Sequence, residues 1–242
     1  MSKLFACIAA LVIVVGATLA FAPAALVDAR LAAMTGGRLR IAEASGSLWR
    51  GRGVLADSQG VARLPLRWQS TPVALAGGGF DATITLASNP APTRLRLERD
   101  RARLSGLDLT LPAASIAQAS VAGGDVRIRA DAFEFDGQQV RGPVDVEWRR
   151  ARLLLPPATI VDLGTVTAKL AADAEAMSGP IEARGGQLAI DGTLTVTRSA
   201  MSLDLRVTPT AAAPPTIRDG IAALGLADAA GAVRLTLSQP LR

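Results

Sequence analysis

Two stretches near the end of the chain carry the reading of the fold: Leu203-Asp204-Leu205-Arg206-Val207 and Val233-Arg234-Leu235-Thr236-Leu237. In each, every second side chain is apolar and every other one is polar. A strand projects successive side chains to opposite faces, so a period of two describes a strand with one buried and one wetted face. Working outward, the same rhythm appears at Leu64/Leu66/Trp68, Phe80/Ala82/Ile84/Leu86, Leu107/Leu109/Leu111, Val126/Ile128, Phe133/Phe135, Val144/Val146/Trp148 and Leu194/Val196. The intervening positions carry Arg, Asp, Glu, Thr or Ser. A helical period of 3.6 is absent from these segments.

Turn-forming residues fall between the alternating runs: Gly77-Gly78-Gly79, Asn89-Pro90, Gly123-Gly124-Asp125, Asp136-Gly137, Gly185-Gly186 and Asp191-Gly192. Many strands at short spacing predict an all-β fold, a curved and mostly antiparallel meander sheet or an open β-sandwich. One short helix is expected near the C-terminus, where Ile217, Ile221 and Leu224 share a helical face, with Gly220 weakening it. A faint internal duplication accompanies this pattern. Strand, Trp68, Pro72, glycines and strand recur as strand, Trp148, Pro156-Pro157, Gly164 and strand. The domain therefore divides into two similar halves, about 37–111 and 121–242.

Composition narrows the chemistry. The 242 residues contain no His, and Cys7 is the only Cys, so a Cys/His zinc site and every His-based triad or general-base scheme are excluded. Half of the residues are hydrophobic but only 3% are aromatic, which leaves Leu, Val, Ile and Ala to build the core. The net charge is +5, and Lys3 and Lys169 are the only lysines among 26 basic residues. No glycine cluster is followed by Lys-Ser/Thr at the start of a helix, so no phosphate-binding loop is present.

From Leu4 to Val27 no side chain is charged. At about 1.5 Å per residue a helix of this length reaches about 36 Å, enough for a hydrocarbon core of about 30 Å. Lys3 and the terminal amine precede it and favour a cytoplasmic N-terminus. Cleavage after Ala20-Phe21-Ala22 is opposed by Pro23, and the apolar run is long for a signal peptide. Residues 1–28 thus read as a cytoplasmic tip and retained single-pass anchor, and 29–242 as a β domain outside the cytoplasm.

The segment Ser45-Gly46-Ser47-Leu48-Trp49-Arg50-Gly51 resembles the Gly-Thr-Leu-Trp-x-Gly signature of the type II secretion system protein N family. The order of features is similar to that family too. An N-terminal membrane helix precedes the motif, Leu66-x-Trp68 follows it, then comes a second tryptophan strand at Trp148, and Gly-rich hairpins around 187–197 and 202–208 close the chain. Ser47 stands where Thr is usual. The resemblance implies an inner-membrane subunit of a Gram-negative type II protein secretion machine, with a periplasmic β domain related in shape to AsmA-like lipid-handling folds. It implies other platform proteins as partners, no cofactor and no catalytic residues. An envelope protein that handles lipid in a β groove is the alternative that the same fold allows.

Five residues stand out as partner or groove contacts: Gly46, Trp49, Gly51, Trp68 and Trp148. Trp68 and Trp148 lie on the apolar faces of their strands, where core packing is the plain reading. Trp49 is out of phase with Leu48 and Val54, and with Gly46, Gly51 and Gly53 it also fits a docking edge or the entrance to a groove. Arg94, Arg96, Arg99, Arg101 and Arg103, interleaved with Leu95, Leu97 and Leu104, read as a charged hairpin with a solvated face. Without stacking aromatics nearby, nucleic acid is not an expected partner; anionic lipid or an acidic protein is the other candidate. Asp131, Glu134 and Asp136 read as a solvated edge rather than a glycosidase pair.

Overall fold

The computed structural model describes residues 22–37, 39–57, 63–71, 79–87, 89, 91–98, 101–115, 121–136, 139–155, 159–173, 176–197, 199–229 and 231–240. Residues 1–21, which hold most of the expected membrane anchor, lie outside this set. No helix among the described residues is long and apolar enough to cross a membrane.

The chain forms a helix α1 (Ala25–Thr35) and then the strands β1 (Leu39–Gly46), β2 (Arg50–Asp57), β3 (Arg63–Ser70), β4 (Phe80–Leu86), β5 (Thr93–Leu97) and β6 (Ala102–Pro112). A 3-10 turn at Ala113–Ser115 leads to β7 (Val121–Phe135), β8 (Val140–Leu155), β9 (Thr159–Asp173), β10 (Ala176–Gly185), β11 (Leu188–Thr197) and β12 (Ala200–Pro209). Helix α2 (Pro215–Ala223) and β13 (Val233–Pro240) follow. The fold is all-β, and the strands form one sheet whose order is the chain order. The pairs from β1 to β4 and from β6 to β13 are antiparallel. The meander is thus one sheet and not a sandwich. Its described residues fall into two compact units, one within Met1–Pro90 and Leu95–Arg99, the other within Ala91–Arg94 and Asp100–Arg242.

In the second unit the register joins like with like. Leu111, Val126, Trp148, Val166, Ala183, Ile190, Val207 and Val233 lie opposite one another in succession, one from each strand from β6 to β13. The neighbouring row is Leu109, Ile128, Val146, Ala168, Ile181, Gly192, Leu205 and Leu235. On the other face the corresponding row reads Thr110, Arg127, Glu147, Thr167, Glu182, Asp191, Arg206 and Arg234. A slip of one residue in any pair would move a charged set into the apolar rows, so each pair enforces the register of the next.

Helix α2 packs on one corner of this apolar face. Pro215 fits its first turn, where a missing N–H leaves no bond unmade. Ile217 and Ile221, one turn apart, are buried with Val161, Leu163, Leu188, Val207 and Val233. Leu224, expected on the same face, lies just past the helix end and is 60% exposed.

The structure departs from the sequence pattern in three places. Gly123-Gly124-Asp125 is not a turn but a bulge inside β7, with register shifts on both sides of Gly123. Asp191-Gly192 lies within β11, where Gly192 lets the Asp204 carbonyl approach so closely that a Cβ would sit 2.2 Å from its oxygen. The third concerns the helices: after the membrane segment at most one short helix, C-terminal, was expected, yet α1 runs past Asp28 to Thr35 ahead of the sheet. The uncharged run to Val27 reads as continuous with a membrane segment, yet Ala22 and Ala24 are buried, and Pro23 bridges to Ser47.

Helix α1 protects the terminal strand β1. The Leu39 N–H donates to Thr35 Oγ1 (3.2 Å), the Ile41 N–H to Asp28 Oδ1 (2.7 Å), and the Ala24 N–H to the Gly46 carbonyl (3.3 Å). These bonds occupy groups that an exposed edge would offer to another strand. Asp28 also accepts from Arg40 Nε (3.0 Å) and Nη2 (2.6 Å), and this bond, with the Ile41 N–H and the nearby guanidinium charge, holds its carboxyl below the usual aspartate range against the opposing effect of burial. A depressed folded pKa contributes stability that is present above the ordinary carboxylate pKa and is lost as pH falls through the folded value. Asp28→Ala is expected to cost about 1–3 kcal/mol at neutral pH, because the Ile41 N–H loses its acceptor. In denaturant titrations Asp28→Asn should also lose part of the acid dependence of the parent; a variant with the parent's pH profile would refute the assignment.

Candidate functional site

The signature segment folds as the turn between β1 and β2. The Ser47 N–H donates to the Arg50 carbonyl (2.9 Å), and Ser47 Oγ accepts from the N–H groups of Trp49 (3.3 Å) and Arg50 (3.2 Å). The hydroxyl, not strand propensity, is what this position supplies, and Thr carries the same group. Gly46 has φ +98, and a Cβ there would lie 2.5 Å from the Arg50 carbonyl oxygen.

Neighbouring segments close on this turn. The Leu48 N–H donates to the Ala22 carbonyl (2.8 Å), and the Ser70 N–H donates to the Trp49 carbonyl (2.7 Å). Ser70 Oγ donates to the Leu48 carbonyl (2.9 Å). Trp68, only 4% exposed, donates its indole N–H to the carbonyls of Ser47 and Leu48, both at 3.2 Å. Its ring occupies the space over Gly51, its cross-strand partner, where an added Cβ would sit 2.1 Å from Cζ2. Trp49 itself is half-buried.

Trp148 belongs to the other unit and repeats the device. Its indole N–H donates to the Gly123 carbonyl (3.1 Å) at the β7 bulge. Gly124, with φ +105, leaves room for it; a Cβ there would be 2.6 Å from Nε1. Of the five residues singled out in the sequence, Gly46, Trp49, Gly51 and Trp68 are thus brought together as a clamp, and Trp148 forms a second clamp of the same kind.

Two features are placed beyond these five. In the first unit an open concavity of about 610 Å³ is lined by Glu43, Arg52, Val54, Arg67, Thr85 and Asn89 among others, and by none of the five. In the second unit part of the apolar face is only half-buried: Ile181, Leu194 and Leu203 are partly open, Leu205 and Leu235 are partly open although packed against the core under α2, and Leu237 is 54% exposed. The alternation of Leu203 to Val207 and Val233 to Leu237 marked this face as apolar, but nothing in a sequence marks which part of a face a helix will cover.

Many charges on the polar face of the second unit are paired with one another. Arg127 forks onto Asp108 (2.7 and 2.5 Å) and Arg234 onto Asp204 (2.8 and 2.5 Å), while Arg149 meets Glu147 at 2.9 Å and Arg184 pairs with Asp191. In each case the arginine hydrogen bond holds the carboxyl of Asp108, Glu147, Asp191 or Asp204 below its usual range. A glycosidase acid needs the opposite shift, upward towards neutrality. In the acidic cluster, Glu134 pairs with Arg103 at 2.8 Å and Asp136 accepts from the Gln139 N–H at 2.6 Å. No group of acidic, His or Cys side chains among the described residues is arranged to hold a metal ion.

A family model for type II secretion system protein N matches residues 37–236, from just before β1 into β13. The chain belongs to that family. Its members are components of the type II secretion machinery, and the match spans both units, including both tryptophan clamps. No curated protein and no solved structure matches the chain.

The clamp makes a specific demand on Gly51. Gly51→Ala is expected to destabilise the domain by about 1–3 kcal/mol through overlap with the Trp68 ring. In a Trp68→Leu background the same change should cost much less, a coupling that a double-mutant cycle of denaturant midpoints would read. Additive effects would mean that Gly51 and Trp68 do not meet as described.

Proposed function

We propose that this chain is a non-enzymatic binding subunit of the type II secretion machinery. Its N-terminal segment anchors it in the inner membrane with the N-terminus in the cytoplasm. Its β domain lies in the periplasm and scaffolds other components of the platform. One observation carries the binding role: part of the apolar face of the second unit, at Ile181, Leu194, Leu203 and Leu237, is left half-open or exposed. A side chain such as Leu237, 54% exposed, has roughly half of the ~1.5–3 kcal/mol of full burial still to gain, so a partner that covers several of these positions has a source of affinity. The paired, ionised carboxylates of the other face and the absence of His from the chain support a role without catalysis.

The unbroken apolar rows from Leu109 to Leu235 also favour a second reading, an envelope protein that holds lipid against this face. The two readings separate in a chromosomal deletion assayed twice, for export of a type II substrate and for outer-membrane permeability to a large hydrophobic antibiotic. The secretion reading predicts lost export with an intact barrier. A leaky barrier with normal export would overturn it in favour of lipid handling.

A further inference from the structure

Arg52 on β2 and Arg67 on β3 are directly opposite each other and project from the same face of the first unit. Side chains so placed have Cβ atoms about 4.5–5.5 Å apart, and like charges in that position repel. In the second unit several arginines are paired with carboxylates across strands, as Arg127 is with Asp108 and Arg234 with Asp204. Neither Arg52 nor Arg67 has a carboxylate within 4 Å among the described residues. The Arg52 Nε–H donates to Ser45 Oγ (3.2 Å), which fixes the root of the guanidinium. Thr85, the cross-strand neighbour of Arg67, adds a hydroxyl on the same side.

Both arginines line the concavity of about 610 Å³, together with one acidic residue, Glu43. A second concavity, of about 470 Å³, makes the contrast. There Arg206 and Arg234 are each paired with an aspartate that lines the same space. Two arginines side by side at the wall of a cavity that holds one carboxylate leave a net positive charge there, which calls for an anion with several acceptor oxygens, and planar guanidinium forks match phosphate oxygens in pairs.

We propose that Arg52 and Arg67 form a binding site for a phosphoryl group, carried by free phosphate or by the headgroup of an anionic phospholipid. The site lies in the first unit and is independent of the secretion reading. Isothermal titration of the full chain in an uncharged detergent tests it, with inorganic phosphate and dihexanoyl phosphatidylglycerol as probes. Saturable binding of either is expected, and Arg52→Gln/Arg67→Gln should weaken it about tenfold or more. Because the change removes a repelling pair, the thermal midpoint should hold or rise, which separates lost binding from lost folding. Arg206→Gln/Arg234→Gln removes equal charge from the second unit and should leave binding within about twofold. Binding of the lipid alone assigns the headgroup as the source; binding of both assigns the phosphoryl group itself. The proposal is overturned if neither probe binds at millimolar concentration, if the Arg52/Arg67 variant binds like the parent, or if the Arg206/Arg234 variant loses as much.

Discussion

Every strand in the second unit must keep the same face apolar as the strand before it. Eight strands share the row from Leu111 to Val233, and each contributes one side chain to it. The reciprocal face receives Arg127, Glu147, Glu182, Asp191, Arg206 and Arg234 in the same register. Because the side-chain period is two, the pairing is all or nothing for each strand, and a slip would set arginines and carboxylates against leucine and valine. The core under α2, the partly open apolar face and the paired charges of the polar surface all follow from that constraint.

Irregularities in the strands preserve the constraint rather than break it. In β8 the apolar residues run Val144, Val146 and Trp148, then resume out of phase at Ala151 and Leu153. The bulge between them, with Arg150 at φ +52, restores the face by adding a residue. In β7 the bulge at Gly123 and Gly124 makes room for the Trp148 indole and presents it with a carbonyl. At β1 and β2 the space over Gly51 does the same for Trp68. Each tryptophan ring thus fills space that a neighbouring glycine leaves, Gly51 for Trp68 and Gly124 for Trp148, and each ring N–H donates to a carbonyl at a turn or bulge.

Much of this was legible in residues. The alternation at Leu64–Trp68, Phe80–Leu86, Leu203–Val207 and Val233–Leu237 marks β3, β4, β12 and β13 directly, and Ile217 and Ile221 mark α2. Strands β9 and β10 are harder to see. Their paired faces carry Ala168, Ala172, Gly179 and Ala183, too small to produce a hydrophobic rhythm, although burial by neighbours makes them strands all the same. Gly123, Gly124 and Gly192 misled the reading because glycine serves a bulge or a close backbone approach as readily as a turn. The motif Gly46–Gly51 was visible as a unit, but its work is local: the hydroxyl of Ser47, the space over Gly51 and the indole of Trp68 interlock across two strands and a turn. Arg52 and Arg67 were hidden by the ordinariness of arginine on a wetted face. Their importance depends on cross-strand register, which a single sequence does not print.

Membership of the type II secretion protein N family gives the sheet a setting, and its partly open apolar face is the surface proposed here for partner contact. The central claim is that this surface, and not the charged face behind it, meets the rest of the machinery. Site-specific photocrosslinking in secreting cells tests it most directly, with the reactive group placed at Leu194, Leu203 or Leu237 on one face and at Thr193, Asp204 or Thr236 on the other. The account predicts adducts with a component of the secretion machinery from the leucine positions and few from the polar ones. Adducts confined to the polar positions, or none from either face, would contradict it.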